Sequence, residues 1–193
     1  MSTEVQKIPE VLIYEMIDGV PIYYKGYREY LEGSKQMEEV MGSSKLQSII
    51  IAELIFLLRG FLGDDYLIFT NELGLQFSKN SWRAADIAVI KSDLVENLDN
   101  KYLAVAPELV IEIDTKAELN GIKNPLGYYQ EKTDELLKFG VDKVLWIFTE
   151  TGKVMLAEQG KNWTMANWDE NIEIVQGLSL NISEIVSKRL KNK

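Results

Sequence analysis

Cysteine and histidine are both missing from the 193 residues of this chain. Without cysteine the protein has no disulfides and no thiolate metal sites, which suits a reducing cytoplasm. Without histidine it has no Ser-His-Asp or Cys-His relay and no His-ligated zinc site. Any chemistry must therefore use Asp, Glu, Lys, Tyr, Ser or Thr, alone or around a hard metal ion bound through oxygen.

Basic residues are outnumbered by acidic ones: the chain has 21 Lys and Arg and 30 Asp and Glu, which gives a formal net charge of −9. Affinity for phosphates comes largely from Lys and Arg, so this balance is unfavourable for a nucleic-acid binder but does not exclude one. A pocket rich in carboxylates becomes compatible with an anionic substrate once a divalent metal occupies it.

Long apolar runs are missing as well, and we expect no secretory leader. The richest apolar stretch, Ile49 to Leu62, is interrupted by Glu53 and Arg59, which predicts no membrane span. The segment MSTEVQKIPE has neither the basic start nor the apolar region of a secretory signal. We therefore expect a cytoplasmic protein that forms one globular domain over residues 1–193.

The order of elements predicts a mixed α/β fold. Asp18-Gly19 between two β-rich runs predicts an N-terminal hairpin. Ser43 and Ser44 are suited to cap a long helix that ends near Gly60. One face of this helix carries an apolar stripe, formed by Ile50, Leu54, Leu57 and Leu58.

The second half of the chain predicts further strands around a second helix. That helix opens at Lys123-Asn124-Pro125 and closes at Gly140. The predicted strands are 65–77 (one strand with a kink or bulge near Gly74, or two short ones), 82–90, 109–113, 144–149 and 154–158. A β-meander over 163–175 and a closing helix over 180–190 follow. The result is a central mixed sheet flanked by helices.

The segment Pro107 to Lys116 (PELVIEIDTK) is the most unusual in the sequence. Side chains alternate along a strand, so Leu109, Ile111 and Ile113 share one face, and the opposite face carries Val110, Glu112, Asp114 and Lys116. Crowded carboxylates resist ionising together, and a divalent cation relieves this by binding both. A solvated polar face is the alternative interpretation.

Asp86 favours the metal-site interpretation. It lies in the otherwise apolar segment AADIAVI, where an acid is expected to be paired, hydrogen-bonded or liganded. If its strand neighbours the next one, Asp86, Glu112 and Asp114 are able to converge on one Mg²⁺ or Mn²⁺ ion.

Lys132 is a second candidate cation beside Lys116. On the predicted helix it falls on the same stripe as Tyr129, Leu136 and Leu137. Two interpretations stay open: its ammonium reaches out to water along a packed stem, or it points at the carboxylate cluster.

Five segments in order (YEMIDG, MGSSKLQ, AADIAVI, PELVIEIDTK and EKTDELLKFGVDKVLWIF) make the chain resemble the Uma-two family of restriction-endonuclease-like proteins, within the PD-(D/E)XK nuclease-like superfamily. The resemblance runs from about Tyr14 to Thr149 and implies a restriction-endonuclease-like core. It also implies that an aspartate on one strand, and an acidic residue before a lysine on the next, hold Mg²⁺ and position the attacking water.

The resemblance assigns these roles to particular residues. Asp86 matches the first acid, and the second is either Glu112 or Asp114, whose Asp-Thr-Lys spacing fits the motif literally. The lysine is either Lys116 or Lys132, because many relatives carry it on the following helix. Two departures stand out: Ala85 where relatives have proline, and Gln47 where many have histidine.

Three hypotheses follow. The first is a Mg²⁺-dependent endonuclease acting on DNA, with Asp86, Glu112 and Asp114 as metal ligands and Lys116 or Lys132 stabilising the phosphate charge. The second is a catalytically degenerate member of the fold that serves as a DNA-associated or protein-interaction module. The third is a structural homodimer that buries apolar strands and the C-terminal segment.

Overall fold

The computed structural model of the protein describes residues 8–120 and 124–190. Residues 1–7, on which the expectation about a secretory signal partly rests, lie outside the described residues, and so does Lys123. The described residues form ten strands and five α-helices: β1 (Ile13–Ile17), β2 (Val20–Tyr23), α1 (Tyr27–Leu31), α2 (Met37–Met41), α3 (Lys45–Leu62), β3 (Tyr66–Ser78), β4 (Ser81–Lys91), β5 (Leu109–Ile113), α4 (Pro125–Phe139), β6 (Lys143–Phe148), β7 (Lys153–Glu158), β8 (Thr164–Asn167), β9 (Ile172–Val175), β10 (Leu178–Leu180) and α5 (Ile182–Leu190).

Eight strands form one mixed sheet, in the order β2-β1-β4-β5-β6-β7-β8 with β3 also paired to β4. Strands β5 and β6 are parallel because α4 returns the chain between them, and the other pairs are antiparallel. Helices α3 and α5 pack on one face of the sheet, and α4 packs on the other. The expected mixed sheet flanked by helices is confirmed.

The N-terminal hairpin and the long helix form as the sequence indicates. Asp18 and Gly19 both have positive φ, at 49° and 80°, which the tight turn between β1 and β2 requires. Ser44 caps α3 by accepting a hydrogen bond from the Gln47 N–H at 3.1 Å.

Helix α3 lies in an apolar stretch of the chain. Contrary to the expectation from the sequence, Lys45–Asp65 is long and apolar enough to cross a membrane, with a mean hydropathy of 1.7, although a helix in the core of a folded domain meets the same criteria. Here Ile50, Leu54 and Leu58 are completely buried against the sheet and α5. Packing onto the sheet therefore uses the apolar stripe of the helix.

The C-terminal strands differ from the expected continuous meander. Strand β8 does pair with β7 at the edge of the main sheet, but β9 leaves that sheet and pairs with β10 in a separate two-stranded one. The physical reason is the burial of Ile172, Ile174 and Leu180, which pack in the same apolar cluster as α3. The closing helix consequently begins at Ile182, two residues later than expected.

Candidate active site

Asp86 and Glu112 face one another across neighbouring strands. Strands β4 and β5 pair in the register Ile87↔Ile111, and continuing it by one residue sets Asp86 opposite Glu112. Directly opposed side chains in an antiparallel pair have their Cβ atoms about 4.5–5.5 Å apart. The Ile113 N–H donates to Asp86 Oδ2 at 2.7 Å, which fixes one oxygen of this carboxylate.

Glu112 is completely buried, at 0% exposed. The interpretation of its strand as one with a solvated polar face is therefore wrong at this position, because α4 covers that face of β5. Within the described residues, Oε1 of Glu112 accepts no hydrogen bond, and Oε2 lies 3.0 Å from the Lys132 ammonium. A buried carboxylate oxygen without a partner is costly, and it is suited to a ligand that brings positive charge.

Lys132 points at the carboxylates and not at water. Its side chain is 0% exposed, and its Nζ lies 2.9 Å from Glu15 Oε1 as well as 3.0 Å from Glu112 Oε2. The rings of Tyr14 and Trp146 lie beside the ammonium, with centroids at 5.6 and 5.4 Å. Of the two open interpretations of Lys132, the one in which it extends out to water is therefore wrong.

A buried ionic network continues from Lys132 and was missed in the sequence. Glu15 Oε2 lies 2.7 Å from Arg83 Nη1 and accepts from the Tyr128 hydroxyl at 2.8 Å. Arg83 also pairs with Glu135 at 2.8 Å. The signal for this network was a glutamate and an arginine inside otherwise apolar strands, since a buried charge requires a partner of opposite sign.

Asp114 lies apart from the facing pair. Strand β5 ends at Ile113, and Asp114 adopts a left-handed conformation with φ 58°, so the expected alternation does not continue to Asp114 and Lys116. The Asp114 carboxylate instead accepts from the Thr149 N–H at 2.8 Å and from the Thr149 hydroxyl at 2.5 Å. These bonds tie the end of β5 to the end of β6.

Lys116 forms an ion pair with Glu72 and donates to the Met41 carbonyl at 3.0 Å. Its side chain is 14% exposed, so it lies nearer to solvent than Lys132 does. Glu72, which sequence reasoning missed, also accepts from the Tyr24 hydroxyl at 2.6 Å. Glu72 lies in a bulge of β3, where both Asn71 and Glu72 have positive φ. Such strained backbone is common at functional sites.

Gln47 is buried against the same strand end. Its Nε2 donates to the Ile113 carbonyl at 3.0 Å. The first turn of α3 is therefore bonded to the residue that follows Glu112.

Two cavities flank Lys116. The larger, of about 530 Å³, is lined by residues that include Lys25, Lys35, Gln47, Asp114 and Lys116. The smaller, of about 320 Å³, lies between α3 and β3 and is lined by residues that include Ser43, Glu72, Asp86 and Lys116. The smaller cavity gives Asp86, which is 6% exposed, its access to solvent.

Burial controls the ionisation of these acids. It raises the pKa of Glu112 well above the ordinary value for glutamate, and the attraction of Lys132 offsets this only in part. Burial also raises the pKa of Asp86, against the effect of the Ile113 N–H. For Glu15, burial disfavours the charge, but Lys132 and Arg83 outweigh it and hold its pKa below the ordinary value.

The raised pKa of Glu112 has a consequence for stability in metal-free buffer. A carboxyl whose pKa is higher in the folded than in the unfolded state stabilises the fold below the unfolded value, near 4.5, and this contribution is lost as pH rises through the folded value. Across that window we expect the unfolding free energy to fall by up to about 1.4 kcal/mol per pH unit more in the wild type than in Glu112→Gln.

Urea unfolding in chelator at a series of pH values from about 4.5 upward measures this difference. Glu96→Gln, at an exposed position, is the matched control and should follow the wild type. Parallel curves for the wild type and Glu112→Gln would show that burial does not govern the ionisation of Glu112.

A divalent cation fits the facing pair. The described residues contain no group of three acids already placed to hold a metal. However, Mg²⁺ usually keeps several waters and needs only one or two protein carboxylates. The unpartnered Oε1 of Glu112 and the open side of Asp86 provide two such ligands. Asp114, engaged with Thr149, lies outside this pair.

The fold is that of a nuclease-like α/β protein. It is similar to the crystal structure of a putative nuclease belonging to DUF820 from Anabaena variabilis, with a TM-score of 0.64, 17% sequence identity and coverage of 90% of this chain and 89% of that chain. The chain belongs to the Uma2 family, described as "Putative restriction endonuclease", which matches residues 28–183. The resemblance seen in the sequence is thus confirmed. Among curated proteins, none matches the chain.

Proposed function

We propose that this protein is a Mg²⁺- or Mn²⁺-dependent phosphodiesterase that cleaves DNA, with Asp86 and Glu112 as its metal ligands. The facing of these two carboxylates across β4 and β5, with an unpartnered oxygen on Glu112, is the observation that carries the proposal. A divalent cation at this position supplies a water of lowered pKa and offsets charge that develops on the phosphate.

The chain's own residues divide the remaining work. Asp86 is the ligand nearest to solvent, since it lines the smaller cavity, and Glu112 lies behind it. Lys132 neutralises Glu112 from the buried side at 3.0 Å. Lys116 lines both cavities and is partly exposed, so we assign to it a contact with the phosphate, in exchange for Glu72.

DNA is the substrate class that the family description favours. The larger cavity offers Lys25, Lys35 and Lys116 as contacts for phosphates, which ammonium groups bind without selecting a base sequence. Four carboxylates line it as well, those of Glu39, Asp114, Glu118 and Glu150, so the lysines do not make it a basic cavity. The net charge of −9 makes binding strongly dependent on these few cations and on the metal.

The direct test is a plasmid-cleavage assay with Mg²⁺ or Mn²⁺, compared with the same reaction in EDTA. We expect nicked or linear product only with the metal, and none from Asp86→Ala purified in the same way. Full wild-type activity in Asp86→Ala, or cleavage that continues in EDTA, would contradict the proposal.

A second candidate is a non-catalytic module of the same fold that associates with DNA or protein. The complete burial of Glu112 favours it, because a catalytic metal needs access to this carboxylate. Calorimetric titration with Mn²⁺ separates the two, since the module predicts no binding at millimolar concentration.

The single domain, the cytoplasmic location and the homodimer remain predictions.

A further inference from the structure

Glu15 is the centre of the buried ionic network, although it lies on the N-terminal hairpin, far along the chain from the acids of the site. Each of its two oxygens approaches a different cation: Oε1 lies 2.9 Å from Lys132, and Oε2 lies 2.7 Å from Arg83. The Ala84 N–H and the Tyr128 hydroxyl also donate to it, at 3.2 and 2.8 Å. These contacts leave the carboxylate of Glu15 little freedom to move.

The local backbone of β1 explains why Glu15 points inward. The pairing of β1 with β2 shifts register between Ile13 and Glu15, and the side chains of Tyr14 and Glu15 both lie beside Lys132 although they are adjacent in sequence. A regular strand would send one of the two to the opposite face. The irregularity therefore places a carboxylate beside Lys132.

Lys132 thus has two carboxylate partners, and only one of them belongs to the proposed metal pair. When Glu112 binds a cation, the negative charge of its carboxylate is shared between that cation and Lys132. Glu15 is 0% exposed, lines none of the cavities around Lys116 and is already fully hydrogen-bonded, so it is not suited to bind a metal or substrate itself. It is suited to remain with Lys132.

We propose that Glu15 is a positioning residue, which holds the Lys132 ammonium beside Glu112 and remains its counter-ion while Glu112 binds a divalent cation. The inference rests on the proposed function. Without the Glu15 carboxylate, Lys132 would depend on Glu112 alone, and the metal would have to compete with Lys132 for the Glu112 carboxylate.

The first test compares Glu15→Gln with Glu135→Gln. Glutamine at 15 keeps the size of the side chain, removes its charge and replaces one acceptor oxygen by an NH2 group, so it weakens the hold on Lys132 and Arg83. Glu135 also pairs with Arg83, but it forms no ion pair with Lys132, so its replacement is a matched control. We expect Glu15→Gln to bind Mn²⁺ about tenfold more weakly and to lose about 10- to 100-fold in kcat, as is typical when a partner of a metal ligand is removed. The KM for DNA should stay within about twofold, because Glu15 does not reach the cavities.

The second test needs no metal and no activity. Unfolding temperatures are measured in chelator for Glu15→Gln, Lys132→Met and the double variant. Each single variant leaves a buried charge with fewer partners and should lower the Tm by roughly 5–15 °C. The double variant removes one charge of each sign, so it should lose clearly less than the sum of the two losses.

Additive losses of Tm would show that Glu15 does not hold Lys132, and they would overturn the inference. It would also fail if Glu135→Gln weakened Mn²⁺ binding and kcat as much as Glu15→Gln, or if Glu15→Gln left both unchanged. A wild type that neither binds Mn²⁺ nor cleaves DNA overturns the proposed function instead, and with it the metal-linked half of the inference, while the Tm cycle still decides whether Glu15 holds Lys132.

Discussion

Glu112→Gln is expected to abolish metal-dependent cleavage and to weaken Mn²⁺ binding by more than the roughly 100-fold that loss of an indirect partner costs. The variant removes the charge from one of two proposed ligands, and no third acid of the described residues is placed to substitute. The fold should persist, because glutamine has the same size and Lys132 keeps its contact with Glu15 at 2.9 Å. Calorimetric titration with Mn²⁺ and the plasmid assay measure the two effects.

Asp114→Asn is the matched control. Asparagine tolerates the left-handed conformation at φ 58°, but it weakens the two hydrogen bonds from Thr149, so a stability loss of about 1–2 kcal/mol is expected. Mn²⁺ affinity should stay within a few-fold of the wild type. An equal loss of affinity in Asp114→Asn and Glu112→Gln would instead assign the literal Asp-Thr-Lys motif to the metal.

Lys132→Met is expected to have the largest effect on stability. It leaves the carboxylates of Glu15 and Glu112 buried without the ammonium between them, and breaking a buried ion pair in this way costs about 3–5 kcal/mol. Urea unfolding at neutral pH measures the loss. Cleavage should fall with it, because Glu112 loses the cation that lies 3.0 Å away.

Lys116→Met distinguishes the two candidate lysines. Its side chain and that of Glu72 are 14% and 21% exposed, whereas Lys132 is completely buried, so the loss of Lys116 should cost less stability than the loss of Lys132. We expect its main effect in a raised KM for DNA, since it lines both cavities. If Lys116→Met lost as much stability as Lys132→Met and kept its KM, the proposed roles of the two lysines would be reversed.

The elements of the fold were largely predictable because local signals agree with the final structure. Asp18-Gly19 fixes a hairpin, Ser44 and Gly140 mark helix ends, and β5 was predicted with its observed bounds. The sequence did not predict the short helices α1 and α2, nor the pairing of β9, whose partner is chosen by packing beneath α3 and α5. Hydrophobic alternation predicts a strand but not the neighbour with which it pairs.

The site was predictable only in part, for a similar reason. Asp86 and Glu112 were identified from charges inside apolar strands, and strand pairing brings them together. Glu15 and Glu72 were missed, because each owes its direction to a register shift in its strand. Such a shift reverses the face to which a side chain points, and regular alternation cannot anticipate it. Asp114 does not share a face with Glu112, because β5 ends at Ile113 and regular alternation ends with it.

The ionic network also determines when the site can exist during folding. Glu112 and Lys132 belong to one strand–helix–strand unit, and they become neighbours as that unit forms. Glu15 meets α4 only across a separation of 113 residues, the distance in sequence to Tyr128. Contacts distant in sequence carry a loop-closure cost that contacts within one strand–helix–strand unit largely avoid. We therefore expect the charge balance of the site to be complete only after α4 has been synthesised and has docked against the N-terminal hairpin.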